Sequence, residues 1–149
     1  LLWFQSKLRC GACSIRSFQS AGRLPRTFRR VSDWCTEPTT SGDPEGQGQY
    51  APIFFRKDLL VLERSDTIWL STTPGKPGSK SWDSSLPRIA TLAWLKEKEG
   101  DQRWLIVNTH FDHRGAEARR ESAALIARHV KRVSHLDQLP VVVMGDLNC

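Results

Sequence analysis

Two stretches place acids, amides and imidazoles at two-residue spacing: Arg103-Trp-Leu-Ile-Val-Asn-Thr-His-Phe-Asp-His113 and Val141-Val-Val-Met-Gly-Asp-Leu-Asn148. Each begins apolar and turns polar towards its C-terminal end. Successive side chains of an extended chain point to opposite faces. Asn108 and His110 therefore share one face, joined by Asp112 if the strand runs on, and Asp146 and Asn148 share another. Such groups, gathered at one rim, suit metal-assisted hydrolysis of a phosphate ester. The ester's negative charge repels an attacking hydroxide, and a hard divalent cation on oxygen ligands neutralises that charge and polarises the phosphoryl oxygen.

Several elements must bring these residues together. Residues 116–133 carry Ala118, Ser122, Leu125, Ile126, His129, Val130 and Val133 at helical spacing, with charges elsewhere, which predicts an amphipathic helix. Strand, helix and strand in that order predict a crossover unit with parallel neighbouring strands. Their polar C-terminal ends then reach the same rim of the sheet, where α/β proteins place their sites. Upstream, residues 89–96 and 103–109 read as a hairpin joined by a polar link containing Gly100. Residues 53–55, 59–62 and 67–70 read as three short strands, with a turn at 56–58. Residues 73–80, with two prolines and two glycines, can be neither helix nor central strand and form a surface loop continued by 81–88. The chain's class is α/β.

With 149 residues, 39% hydrophobic and 26% charged, there is room for one domain with a real core, and no apolar run approaches membrane-spanning length. The net charge of +6 resides wholly in residues 1–34, which hold seven Lys/Arg and one acid; residues 35–149 hold fifteen of each. The part carrying the polar motifs is thus near neutral, which weakens a duplex-DNA reading. Residues 1–49 are aperiodic and are expected to be irregular, disordered or foreign to the domain, which is expected to occupy 50–149. The Arg- and Ser-rich start is similar to an organelle transit peptide. Cys10-Gly-Ala-Cys13 has zinc-knuckle spacing but no second pair, so the cysteines read as incidental, and scattered thiols favour a reducing, intracellular setting. Residue 1 is Leu and the only Met is Met144, so the chain is expected to be a piece of a longer one. It is expected to be a monomer.

The set Ser81-Trp-Asp-Ser-Ser-Leu-Pro-Arg88, Asn108-Thr-His-Phe-Asp112 and Gly145-Asp-Leu-Asn148 resembles the endonuclease/exonuclease/phosphatase superfamily, the deoxyribonuclease I-like phosphoesterases. The resemblance runs from about residue 50 to 148. It implies a four-layer α/β/β/α sandwich, two mixed sheets face to face with helices outside. It also implies that Asp146 and Asn148 lie at the active centre, with His110 and Asn108 beside them and Arg88 near the phosphate. Asp146 can orient or deprotonate water. Asn148 can donate to a phosphate oxygen and accept from that water. His110 can stabilise charge in the transition state, and Arg88 can grip phosphate through its fork. Oxygen-rich ligation by Asp146, with Asp112 as a second candidate ligand, implies Mg²⁺ or Mn²⁺. Trp82 in the loop would flank substrate, while Trp69, Trp94 and Trp104 read as core. The family's metal-holding Glu and its terminal Asp-His pair have no counterpart here, so this piece alone is expected to be inactive. The substrate class stays open among nucleic acid, phospholipid head groups and small phosphate esters.

Each candidate has a structural alternative. Asp146 can cap a turn and Asn148 can sit in one, His110 can be a hydrogen-bonded core histidine, and Asp112 can serve a helix N-terminus. Arg119 and Arg120 read as a solvated helix face. Thr109-His-Phe-Asp-His-Arg-Gly115 also resembles half of the zinc signature of metallo-β-lactamase-fold hydrolases, although Asn108 stands where that signature begins with His. A non-catalytic interaction or structural piece is the third reading.

Overall fold

The computed structural model describes residues 28–31 and 51–149. Its elements are β1 (Phe28–Val31), β2 (Ile53–Arg56), β3 (Leu60–Trp69), β4 (Ile89–Glu97), β5 (Arg103–His110), α1 (Ala116–Asp137) and β6 (Val141–Asp146). β1 and β2 pair antiparallel in a two-stranded sheet, and β3-β4-β5-β6 form a second, four-stranded sheet in that order. The larger sheet is mixed: β4 runs antiparallel to both β3 and β5, while β6 lies parallel to β5. The strand–helix–strand crossover predicted from the change of period is therefore present, and the helix runs four residues past the predicted end.

The alternation of side chains assigns the two faces of this sheet. Ala90, Leu92 and Trp94 of β4 and Leu105 and Val107 of β5 join Ile126 and Val133 of α1 in one apolar cluster. The intervening Ala93, Leu95 and Ile106 pack instead with Ile53 and Phe55 of β2. Helix, four-stranded sheet and two-stranded sheet thus form three successive layers, which are the α/β/β part of the expected four-layer sandwich. Trp69 and Trp94 are buried in the core, and Trp104 packs beside Ile106.

Two sequence expectations change. Residues 59–62 and 67–70 are not separate strands: they lie in the single ten-residue β3, with a bulge between Leu62 and Arg64. Its middle, Glu63 to Ser65, is exposed on an edge of the four-stranded sheet, where charges and a bulge are common. Second, Phe28–Val31, inside the stretch read as irregular, forms β1, which satisfies the hydrogen bonds of β2. The rest of residues 1–49, including Cys10, Cys13 and Cys35, lies outside the described residues. Among the described residues no helix is long and apolar enough to cross a membrane.

Candidate active site

The parallel register of β5 and β6 sets His110 opposite Asp146 and Thr109 opposite Gly145. His110 and Asp146 point to the same side of the sheet, the side of Ile106 and Met144 facing the β1–β2 layer. Their groups approach to 3.8 Å, His110 Nε2 to Asp146 Oδ2. Both side chains are partly exposed at the rim, while the His110 Nε2 atom itself is buried.

The backbone beyond the strands fixes the pair. The Phe111 amide donates to the Asp146 carbonyl at 2.9 Å. The Asn148 side-chain amide donates to the Phe111 carbonyl at 2.7 Å, and its backbone amide donates to Asp146 Oδ1 at 3.1 Å. Asp146 therefore uses one oxygen to hold the turn, the structural role weighed from the sequence, and turns the other towards His110. Asn148 takes a left-handed backbone, φ 52°, which asparagine tolerates better than most residues. Asn108 donates to the Pro52 carbonyl at 2.7 Å and so ties the site strand to the start of β2. Gly145 is required by close approach: a Cβ there would lie 1.8 Å from the Thr109 carbonyl oxygen. Its φ of +127° also disfavours any side chain.

A second polar cluster lies on the helix side of the same rim. Arg88 and Asp112 are 2% and 1% exposed and form an ion pair with Nε–Oδ2 at 3.4 Å. Asp112 Oδ2 also accepts from the Ser85 hydroxyl at 2.6 Å and the Leu86 amide at 3.3 Å. Its Oδ1 accepts from the Arg114 and Gly115 amides, each at 2.9 Å. Burial alone would push this carboxyl up, but the donors from Gly115, Ser85 and Arg114 outweigh it and hold it well below the usual carboxylate range. The arginine fork also reaches His113 Nδ1 at 3.2 Å.

This cluster corrects several expectations. Asp112 does not continue the face of Asn108 and His110, because β5 ends at His110 and the chain turns. With five donors on its two oxygens it has no lone pair left for a cation, so the metal-ligand role does not fit. The zinc-signature reading, which needs Asp112 as a ligand, fails on the same geometry. Arg88 is enclosed by its own partners rather than presenting a fork to the rim. Arg119, read as solvated, donates to the Asp112 carbonyl at 3.0 Å, whereas Arg120 is exposed beside Glu121.

Asp83 is a residue the sequence reading missed. Its Oδ1 accepts from the Ala118 amide at 2.7 Å and its Oδ2 from the Glu117 amide at 3.3 Å, so the loop caps α1 from 34 residues away. The helix has no side-chain cap of its own, since its N-cap is Gly115. That glycine leaves room for the cap, because a Cβ there would lie 2.5 Å from Asp83 Oδ1. Trp82 sits between Asp83 and Ser81, whose hydroxyl accepts from the Thr72 amide at 3.0 Å. The tryptophan is half-buried with φ 57°, a conformation sustained by its anchored neighbours.

Among the described residues no three or more His, Cys, Asp or Glu side chains converge to hold a metal ion. The donors at the His110–Asp146 rim are nevertheless of the hard oxygen kind, with one carboxylate and two nearby amides, which suits a cation that keeps most of its waters.

No family model matches the sequence, and no curated protein does. Solved structures do. An endonuclease/exonuclease/phosphatase from Bacteroides vulgatus is 39% identical over 83% of this chain and 44% of its own, with a TM-score of 0.72. A mannosyl-6-phosphatase from Bacteroides thetaiotaomicron is 32% identical over 83% of this chain and 43% of its own, with a TM-score of 0.73. The human Nocturnin catalytic domain, 17% identical with a TM-score of 0.62, shares the fold. The chain spans less than half the length of these proteins. Its mixed sheet, crossover and rim motifs, together with this similarity, place it within the endonuclease/exonuclease/phosphatase superfamily, to which it belongs.

Proposed function

We propose that the protein is a metal-dependent phosphoester hydrolase and that His110 and Asp146, with Asn148 and Asn108, form its reacting rim. The observation that carries this reading is the in-register pair of His110 and Asp146, 3.8 Å apart on one face of a partly exposed rim. Mg²⁺ or Mn²⁺ is the proposed cofactor: Asp146 would hold it, with Asn148 and Asn108 as nearby oxygen-bearing residues. When bound, the ion neutralises phosphate charge and polarises the phosphoryl oxygen. Asp146 orients the attacking water and draws its proton. His110 donates to a non-bridging phosphate oxygen as charge builds there. Asn108 and Gly145 hold the two strand ends at the spacing this needs. Arg88 acts from behind the rim through Asp112 rather than on the phosphate.

The favoured substrate is a small phosphate ester, of the sugar-phosphate kind named for the 32%-identical relative. The near-neutral charge of residues 35–149 supports this over duplex DNA. A phosphodiester or phospholipid head group is the alternative, with Trp82 lying against the organic part of the substrate in either case. Because the described residues supply one acidic ligand at the rim, the 149-residue chain alone is proposed to turn over poorly. The test is phosphate release by the full-length protein from hexose 6-phosphates, a nitrophenyl phosphodiester and a single-stranded oligonucleotide, with Mg²⁺ and after chelation. Release from none of them, or release unaffected by chelation, contradicts the proposal.

A further inference from the structure

The buried Arg88–Asp112 pair lies just beyond the last bridge of the β4–β5 ladder, Ala90 opposite Thr109. Arg88 directly precedes β4 and Asp112 follows β5 by two residues. Between the ladder and the pair stands Phe111, whose backbone amide and carbonyl are both bonded to the β6 end, to the Asp146 carbonyl at 2.9 Å and the Asn148 side chain at 2.7 Å. Segment 110–112 is therefore gripped from two sides. β6 holds it through Phe111, and the 81–88 loop holds it through Asp112, with Ser85, Leu86 and Arg88 all on Oδ2. The other carboxylate oxygen, on the Arg114 and Gly115 amides, fixes where α1 begins.

We infer that Asp112 and Arg88 are positioning residues. Their ion pair clamps the end of β5 so that His110 and Asn148 keep their places against Asp146. This rests on the function proposed above and adds residues that touch neither substrate nor metal. A buried ion pair contributes little net stability over an apolar pair of similar size, so its presence calls for another reason. Here the geometry supplies one: the pair joins three segments at a rim where a displacement of ~1 Å can cost ~100-fold in rate.

The deciding variant is the double substitution Arg88→Met with Asp112→Asn. The asparagine oxygen can keep the Arg114 and Gly115 amides, and the Ser85 hydroxyl can turn from donor to acceptor towards the new amide group. The helix start thus survives and no charge is left buried alone, while the ion pair goes together with the Leu86 amide bond to Oδ2 and the Arg88 bond to His113. A milder variant, Ser85→Ala, loses the 2.6 Å bond alone and serves if the double variant fails to fold. Two readouts follow in the full-length protein. Native-state hydrogen exchange should show the Phe111 amide opening about 10-fold faster or more, with Val107 in mid-strand unchanged. Turnover should fall about 10- to 100-fold in kcat with KM within about twofold. Unchanged Phe111 exchange overturns the clamp, whether or not the wild type hydrolyses phosphoesters. Unchanged kcat in an active protein overturns it too. Absence of turnover in the wild type defeats the proposed function instead, and the exchange result then judges the clamp by itself.

Discussion

Replacing Gly145 with alanine should damage both stability and site geometry. The new methyl would lie 1.8 Å from the Thr109 carbonyl oxygen, 2.8 Å from its carbon and 2.9 Å from Asn108 Oδ1. Two of these atoms are backbone, so no change of rotamer relieves the overlap. Real Cβ contacts stay beyond 3.0 Å, so the end of β6 must move from β5 by at least the difference, 3.0 − 1.8 = 1.2 Å. The φ of +127° adds about 1–3 kcal/mol for a residue with a side chain. Loosening the terminal bonds between β5 and β6 costs about 1 kcal/mol for each bond lost. The sum is about 3–5 kcal/mol, or a fall in melting temperature of about 10 °C or more for a domain of this size. Urea unfolding followed by fluorescence of the buried Trp69 and Trp94 would measure it. The same shift parts His110 from Asp146, so activity should drop about 100-fold even well below the melting temperature. A Gly145→Ala protein within about 0.5 kcal/mol of wild type and fully active would refute the reasoning.

Asp83→Ala should cost about 1 kcal/mol through loss of the cap on the Glu117 and Ala118 amides; an unchanged urea midpoint would remove the cap from the account. Asp112 has a depressed pKa in the folded state, so its contribution to stability is present above the unfolded value of about 3.9 and is lost as pH falls below it. Unfolding free energies measured between pH 5 and pH 2.5 should therefore decline, and Asp112→Asn should flatten that decline; equal slopes in the two proteins would contradict it. The His129 imidazole, lowered first by burial and then by Arg132, should titrate below its ordinary value by NMR, because Arg132 donates to its Nδ1 at 3.4 Å and the neutral ring can accept.

The crossover unit is legible because its strands and helix carry clean periods, and the period puts Asn108 and His110 on one face of β5, with His110 in register with Asp146. Alternation also explains the error at Asp112: extrapolating it past His110 puts this carboxylate on the face of Asn108 and His110, whereas the chain turns and buries it. Its partners Ser85, Leu86 and Arg88 lie 24 to 27 residues away, and no local spacing encodes such contacts. Asp83 is hidden for the same reason, since a cap normally sits next to the helix it serves. Gly145 did carry a signal, because glycine within a strand pattern marks close backbone approach. β3 was split because an edge strand need not be apolar, and β1 was missed because Arg29 and Arg30 fill half of it. The placement of the rim residues is thus written in short-range alternation, and the scaffold behind it in long-range pairs.

The most direct test is the initial rate of phosphoester hydrolysis by the full-length protein as Mg²⁺ is titrated, with Asp146→Asn compared side by side. The account predicts saturable activation by Mg²⁺ in the wild type. In Asp146→Asn it predicts a rate lower by about 100-fold or more at every concentration, with unchanged folding. Activity that needs no divalent ion, or that survives the loss of the Asp146 carboxylate, would contradict it.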